Sequence, residues 1–167
     1  FFQAEDGIRD DLVTGVQTCA LPISIMADIV IAARSAYFLQ AFARIGLIPD
    51  GGATWYLPRL IGWGRAVELS MLAERLPAEK AMEWGLVNRV VDDENLMSEA
   101  LSVAIQLANG PRSLALIRKA YWASWDHSLE QQLQLEANLQ AAAGASSDFS
   151  EGVSAFLEKR DARFTGK

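Results

Sequence analysis

Residues 27–91 read ADIVIAARSAYFLQAFARIGLIPDGGATWYLPRLIGWGRAVELSMLAERLPAEKAMEWGLVNRVV, and the order of apolar runs and turn formers in this stretch decides the fold. Ile25 to Ala33 is a short run rich in isoleucine and valine without polar alternation, the pattern of a strand buried on both faces. Ala36 to Gln40 suits a second short strand. GLIPDGG, residues 46–52, is dense in turn formers, because Pro49 fixes one φ angle and Gly51 and Gly52 follow it. A helix is predicted from Gly52 to Leu60 and another from Gly64 to Ala73, the latter carrying Val67, Leu69, Met71 and Leu72. Pro77, Ala78 and Glu79 fit the first turn of a short helix, where proline is tolerated, and Gly85 ends it. LVNRVV, residues 86–91, reads as a strand.

Beyond this stretch the chain turns helical. Asp92 and Asp93 are candidate caps for a helix from Glu94 to Ala108, which Asn109-Gly110-Pro111 terminates. Helical patterns follow at Ser113 to Ser124, Ser128 to Ala143 and Asp148 to Lys159. There is no repeat and no internal linker, so the expectation is one α/β domain, or part of one.

Residues 1–24, FFQAEDGIRDDLVTGVQTCALPIS, read differently. Glu5, Asp6, Asp10 and Asp11 against a lone Arg9 do not make the basic start of a signal peptide. QAEDGIRD (3–10) and VTGVQTCALPI (13–23) are what two consecutive segments of a common short-read sequencing adapter encode in frame. Asp11 and Leu12 between them fill the space of a sample index. The expectation is that residues 1–24 are foreign, that residues 25–167 are native, and that the native N-terminal half is missing.

The formal charge of −6 argues against nucleic acid, whose phosphates need a basic face. No apolar run reaches the roughly 18 residues of a membrane span. The single Cys19 forms no internal disulfide, which makes a reducing cytoplasm the default, and the single His127 excludes a multi-histidine metal site.

The landmarks between Asp28 and the C-terminus stand in an order that resembles the crotonase, or enoyl-CoA hydratase/isomerase, family. They are the D-I-x-I-A-A run, the G-L-x-P-x-x-G-G turn, L-P-R-L-I-G, G-R-A, a P-A-E-x-A helix, G-L-V-N-R-V-V and a closing EGVSAFLEKRDARFTGK. QAF, GLIPD and TWYLPRL are closest in texture to the ring-epoxide isomerases of phenylacetyl-CoA catabolism. The resemblance implies the C-terminal part of a crotonase-like ββα spiral with a helical C-terminal region. It also implies an acyl-CoA substrate, with coenzyme A present only as part of that substrate, no metal, and a homotrimer or homohexamer.

It further implies roles for single residues. Asp50 follows G-L-x-P, where isomerases and dehalogenases of the family carry a catalytic aspartate; it is also well placed to cap the helix that follows. Hydratases of the family use two glutamates. One falls in a Q-P-E string, which here is Gln40-Ala41-Phe42, and Phe42 transfers no proton. The other would fall at Pro22, inside the leader, and one oxyanion-hole glycine slightly earlier. Gly51 and Gly52 let the backbone approach an acyl chain or serve the turn alone. Trp55, Tyr56 and Trp63 either line an acyl pocket or belong to the core, and Phe42 stands on the same substrate side. Phe156 and Lys159 resemble positions near the CoA adenine and phosphates, with Phe164 close by; helix packing and a solvated face are the alternatives. Arg34, Arg59, Arg65 and His127 read as surface charges.

The activity this implies is isomerisation of an acyl-CoA through an enolate held in an oxyanion hole, with Asp50 shuttling a proton. The alternatives are an enoyl-CoA hydratase and, from another class, a non-catalytic crotonase-fold binding or assembly protein. Without the first half of the spiral, residues 25–167 are expected to be inactive and prone to aggregate.

Overall fold

The computed structural model describes Leu21 and residues 24–167. The adapter reading of residues 3–23, the Pro22 position and Cys19 lie outside the described residues, Leu21 apart. The chain forms two compact units, residues 1–100 and 101–167.

The first unit is built on two short strand pairs. Strand β1 (Ile31–Ala33) runs parallel to β4 (Arg89–Val91), with Ala32 opposite Val90. Strand β2 (Tyr37–Phe38) runs antiparallel to β3 (Leu76–Pro77). The Ile25–Ala33 run is therefore a strand over its last three residues only. Ser24 and Ile25 are helical, Met26 and Ile29 are exposed, and the stretch is not a strand buried on both faces. The strand expected over Leu86–Val91 likewise shrinks to its last three residues, because Leu86 and Val87 pack into the core ahead of the pairing.

A parallel pair needs a long crossover, and here it holds three helices: α1 (Ala53–Ile61), α2 (Trp63–Leu72) and α3 (Ala78–Glu83). Ala53, Leu57 and Ile61 recur at helical spacing and are all nearly inaccessible, so α1 buries one stripe against Ala66 and Leu69 of α2. Pro58 sits inside α1. Pro77 is the extended residue before α3, one position ahead of the first-turn place expected of it.

The crossover is tied at its base. Val30 N–H donates to Asn88 Oδ1 (2.7 Å), Asn88 N–H to Val30 O (2.9 Å) and Arg34 N–H to Val91 O (2.8 Å). The Arg34 guanidinium reaches both Asp92 (2.9 Å) and Glu79, and the Ser35 N–H and hydroxyl donate to Asp93. These bonds overturn the capping expected of Asp92 and Asp93. A 3-10 turn (Asp93–Asn95) precedes helix α4 (Leu96–Ala108), and the Asp92 side chain caps nothing. Arg34 is surface-exposed as expected, yet it is a tie rather than a bare charge.

The second unit takes the C-terminal part of α4, then α5 (Ser113–Ala123), α6 (Leu129–Gly144) and α7 (Ser147–Glu158). Ser128 starts α6 with a reciprocal capping box, its Oγ accepting from Gln131 N–H (3.2 Å) while Gln131 Oε1 accepts from Ser128 N–H (2.8 Å). After α7 the chain folds back on that helix. The Asp148 carboxylate, 3% exposed, accepts N–H groups from Thr165 (2.7 Å), Arg112 (2.8 Å) and Gly166 (3.0 Å). Those donors hold its pKa below the ordinary value. Glu151 takes both terminal nitrogens of Arg160 and the N–H of Arg163, which pull its pKa to about 2.

Candidate active site

Asp50 lies at the end of a segment that leaves the core by steps. A 3-10 turn (Ala41–Ile45) buries Ala41 and Phe42. It closes where Gly46, at φ 75°, donates to Ala43 O and Leu47 N–H donates to Phe42 O (3.0 Å). Arg44 anchors the turn by giving Nε and Nη2 to the carbonyl of Ala73, at 3.0 and 2.5 Å. Ala73 ends α2 in the left-handed region, so the arginine satisfies a carbonyl the helix leaves without a partner. The chain then surfaces, with Leu47 59% and Ile48 81% exposed, and reaches Asp50.

The cap of α1 is Gly52, not Asp50. Gly51 (φ 56°) and Gly52 (φ 81°) both occupy the left-handed region, and no side chain caps the helix. Asp50 contributes only its backbone carbonyl, which accepts from Ala53 N–H (3.0 Å). The capping alternative is thereby removed. Among the described residues the Asp50 carboxylate is exposed and committed to no hydrogen bond or ion pair. Turn geometry alone requires both glycines. At Gly52 there is a second reason, since a Cβ there would stand 3.0 Å from the ring of Tyr56.

Trp55 and Tyr56 are half-buried and pack edge to face at 5.0 Å, and the Arg59 guanidinium lies 4.0 Å over the Trp55 ring. Arg59 and Arg65 are thus engaged with aromatics, Arg65 standing 5.3 Å over Trp84. Trp63 is 76% exposed and belongs to no core. Phe42, 3% exposed, is a core residue among the described ones. Two hollows, one along Leu129 to Ala137 and one between Arg34 and Asp93, do not include Asp50.

Phe42, Asp50, Gly51, Gly52 and Trp55 all lie in the first unit, Phe42 buried, Trp55 half-buried and Asp50 exposed. Phe156 and Lys159 stand in the second. Phe156 is 83% exposed, which excludes helix packing within that unit, and Lys159 caps α7 at φ 55°. Phe164 lies over Gly152, 3.6 Å from where a Cβ would stand. His127 is exposed, with Nδ1 3.2 Å from Gln132 Oε1. Among the described residues there is no cluster that could hold a metal ion, and no helix is long and apolar enough to cross a membrane.

Sequence reasoning passed over two features. The carboxylates of Asp148 and Glu151 had a signal, namely two acids three apart on the last helix ahead of a tail with four cations, Lys159, Arg160, Arg163 and Lys167. Gln40 had less: an amide set between Leu39 and Ala41-Phe42, now fully buried.

Comparison with known proteins places this arrangement. The family model for enoyl-CoA hydratase/isomerase matches residues 17–167. The 1,2-epoxyphenylacetyl-CoA isomerase of Escherichia coli is 50% identical over 146 residues, covering 87% of this chain and 56% of that protein. A probable enoyl-CoA hydratase of Rhodobacter capsulatus is 42% identical, covering 95% of this chain and 68% of that protein. Among solved structures, an enoyl-CoA hydratase from Bacillus anthracis superposes with a TM-score of 0.86 at 33% identity, over 90% of this chain and 58% of that one. The chain thus spans a little more than half the length of the Escherichia coli relative. It belongs to the enoyl-CoA hydratase/isomerase family and has the crotonase fold.

Proposed function

We propose that residues 25–167 are the C-terminal part of a full-length protein that isomerises an acyl-CoA thioester, with Asp50 moving the proton. The observation that carries this is the state of the Asp50 carboxylate. It is fixed through its backbone by Gly51, Gly52 and the start of α1, while its side chain is exposed and uncommitted. A general base needs that combination of a defined origin and a free carboxylate. Phe42 stands where the family's hydratases carry a second glutamate, and its burial leaves Asp50 as the acid–base group of this stretch.

In this reading the thioester oxygen rests on backbone N–H groups supplied by polypeptide ahead of residue 25. As the α-proton passes to Asp50, the resulting enolate is held there; donors of this kind are worth about 2.7–4 kcal/mol each. The protonated Asp50 then returns the proton at another carbon. The Escherichia coli relative, named as an isomerase of a ring epoxide, supports a substrate with a ring, and Trp55 and Tyr56 offer it an aromatic wall. Phe156 and Lys159 meet the CoA adenine and phosphates. Coenzyme A enters only as part of the substrate, and the working form is a homotrimer or homohexamer in the cytoplasm. Exposed Tyr121, Leu129 and Leu157 supply apolar surface for such an assembly.

Replacing Asp50 by Asn in the full-length protein tests the reading. Turnover of an acyl-CoA should fall by about 10²–10⁴-fold with the fold retained; unchanged turnover defeats the assignment. The hydratase reading has the Rhodobacter capsulatus relative in its favour and Phe42 against it. Water added across the substrate, rather than an isomer, would select it. A full-length protein that binds no CoA ester would select the assembly reading.

A further inference from the structure

Lys159 ends α7 in the left-handed region, at φ 55° and ψ 41°, where an L side chain is strained and glycine is the usual occupant. Such an angle persists only where its surroundings over-determine it. Among the described non-glycine residues Ala73 alone shares that region, and there Arg44 secures the carbonyl.

Glu151 supplies the bracing at Lys159. The backbone makes the two bonds of a Schellman turn, Lys159 N–H to Phe156 O (3.3 Å) and Arg160 N–H to Ala155 O (3.1 Å). Glu151, two turns back along α7, takes Arg160 Nη1 on Oε1 (2.6 Å) and Nη2 on Oε2 (3.0 Å), and its Oε1 also accepts the N–H of Arg163 (2.8 Å). Arg160 Nε donates to Glu158 Oε2 (2.6 Å). Glu158 precedes Lys159 while Arg160 and Arg163 follow it, so one charge-assisted network spans the bend from both sides. Two-pronged pairing fixes direction as well as distance, which a lone exposed ion pair does not.

The same network sorts the cations. Arg160 is matched by two carboxylates, whereas the Lys159 ammonium has no hydrogen bond or ion pair among the described residues. Phe156, three residues earlier, is 83% exposed. The bend therefore holds an uncommitted cation beside an uncovered ring, on a backbone angle that glycine would adopt without strain.

We propose that Glu151 is a positioning residue for coenzyme A binding. Through the Arg160 guanidinium and the Arg163 amide it holds Lys159 in the left-handed bend from which the ammonium reaches the CoA phosphates. The inference rests on the reading above that gives Phe156 and Lys159 to the CoA nucleotide. It adds the group that fixes them, which itself touches no substrate.

The test uses the full-length protein with Glu151→Gln, which keeps the side-chain shape and removes the carboxylate. KM for an acyl-CoA should rise about tenfold with kcat within about twofold, since a handle remote from the chemistry is bound alike in the ground and transition states. KM for the same acyl group on pantetheine, which lacks the nucleotide, should stay within about twofold. In a Lys159→Ala background Glu151→Gln should raise KM by less than about twofold more, because the group it holds is already gone. A lowered Tm with KM for both thioesters unchanged, or raised alike, would make Glu151 a purely structural residue and overturn the proposal. Should Glu151→Gln fail to fold, Arg160→Lys takes its place with the same expected pattern, since lysine keeps the charge and loses the two-pronged fit. Where no acyl-CoA is turned over, the Kd for CoA replaces KM, and a protein that binds no CoA overturns the proposal together with the reading beneath it. If Lys159→Ala raises KM for the acyl-CoA and Glu151→Gln does not, only the Glu151 proposal falls. If Lys159→Ala leaves KM unchanged, the placement of Lys159 at the CoA phosphates falls and takes the proposal with it.

Discussion

The ring of Tyr56 occupies the space that a side chain on Gly52 would need: a Cβ there would stand 3.0 Å from Cε2 and 3.2 Å from Cδ2. Gly52 is also at φ 81°, where an L side chain costs about 1–2 kcal/mol. Gly52→Ala should therefore lower stability by about 1–2 kcal/mol or more, read as a shift in the denaturation midpoint. Adding Tyr56→Ala should recover the contact part and leave the backbone part. Full recovery in the double variant would show that the left-handed angle carries no cost.

Phe42→Glu restores the carboxylate that hydratases of the family carry at this position, and it should not produce a hydratase. Phe42 is 3% exposed, and a carboxylate there is taken out of water without a cation beside it, at a cost of several kcal/mol. The expected result is a large fall in Tm with no hydration product. A stable variant that adds water to an enoyl-CoA would overturn the placement of Phe42 in the core.

The tail clasp should open with acid. Depressed carboxylates contribute stability that is fully present above their unfolded pKa and is lost as the pH falls through the folded value. Arg160 holds Glu151 at about 2 against an ordinary 4.5, so its share fades between about pH 4.5 and 2. Asp148, held down chiefly by the N–H groups of Thr165 and Arg112, follows the same sign. Protection factors at the Thr165 and Gly166 amides, corrected for the intrinsic pH dependence of exchange, should fall across this window, and Asp148→Asn should lower them already at neutral pH. Protection at those amides that ignores both the pH and the substitution would show that the clasp does not hold the tail.

Ser128→Ala removes half of the box at the start of α6 and should cost about 1 kcal/mol. Gln131→Ala removes the reciprocal bond and should cost less, since the serine cap survives it. Equal and additive losses from the two would argue against a coupled motif.

Turns and helices were the legible part of this chain. GLIPDGG, the glycines that end elements, and Ser128 act through local φ preferences and near neighbours, so their helices begin and end close to where the pattern puts them. Strands were legible only as burial. The apolar run Ile25–Ala33 reports an apolar environment, whereas pairing at Ile31–Ala33 depends on Arg89–Val91, 58 residues away in register. Asp92 and Asp93 failed as caps for the same reason: Arg34 and Ser35, equally distant in sequence, take their oxygens. Asp50 could be named as a candidate from its string, but its release from capping depended on two backbone angles. Gln40 is marked locally only by its apolar neighbours in sequence, because a buried amide without partners has the same spelling as a solvated one.

The β1–β4 pairing makes everything between Ala33 and Arg89 a closed ring, fastened at its neck by Asn88, Arg34 and the paired strands. Asp50 rides on that ring rather than on a free arm. A protease that cuts the exposed Leu47–Ile48 bond would therefore nick the ring without freeing either piece, and the two fragments should travel together until a denaturant undoes the neck.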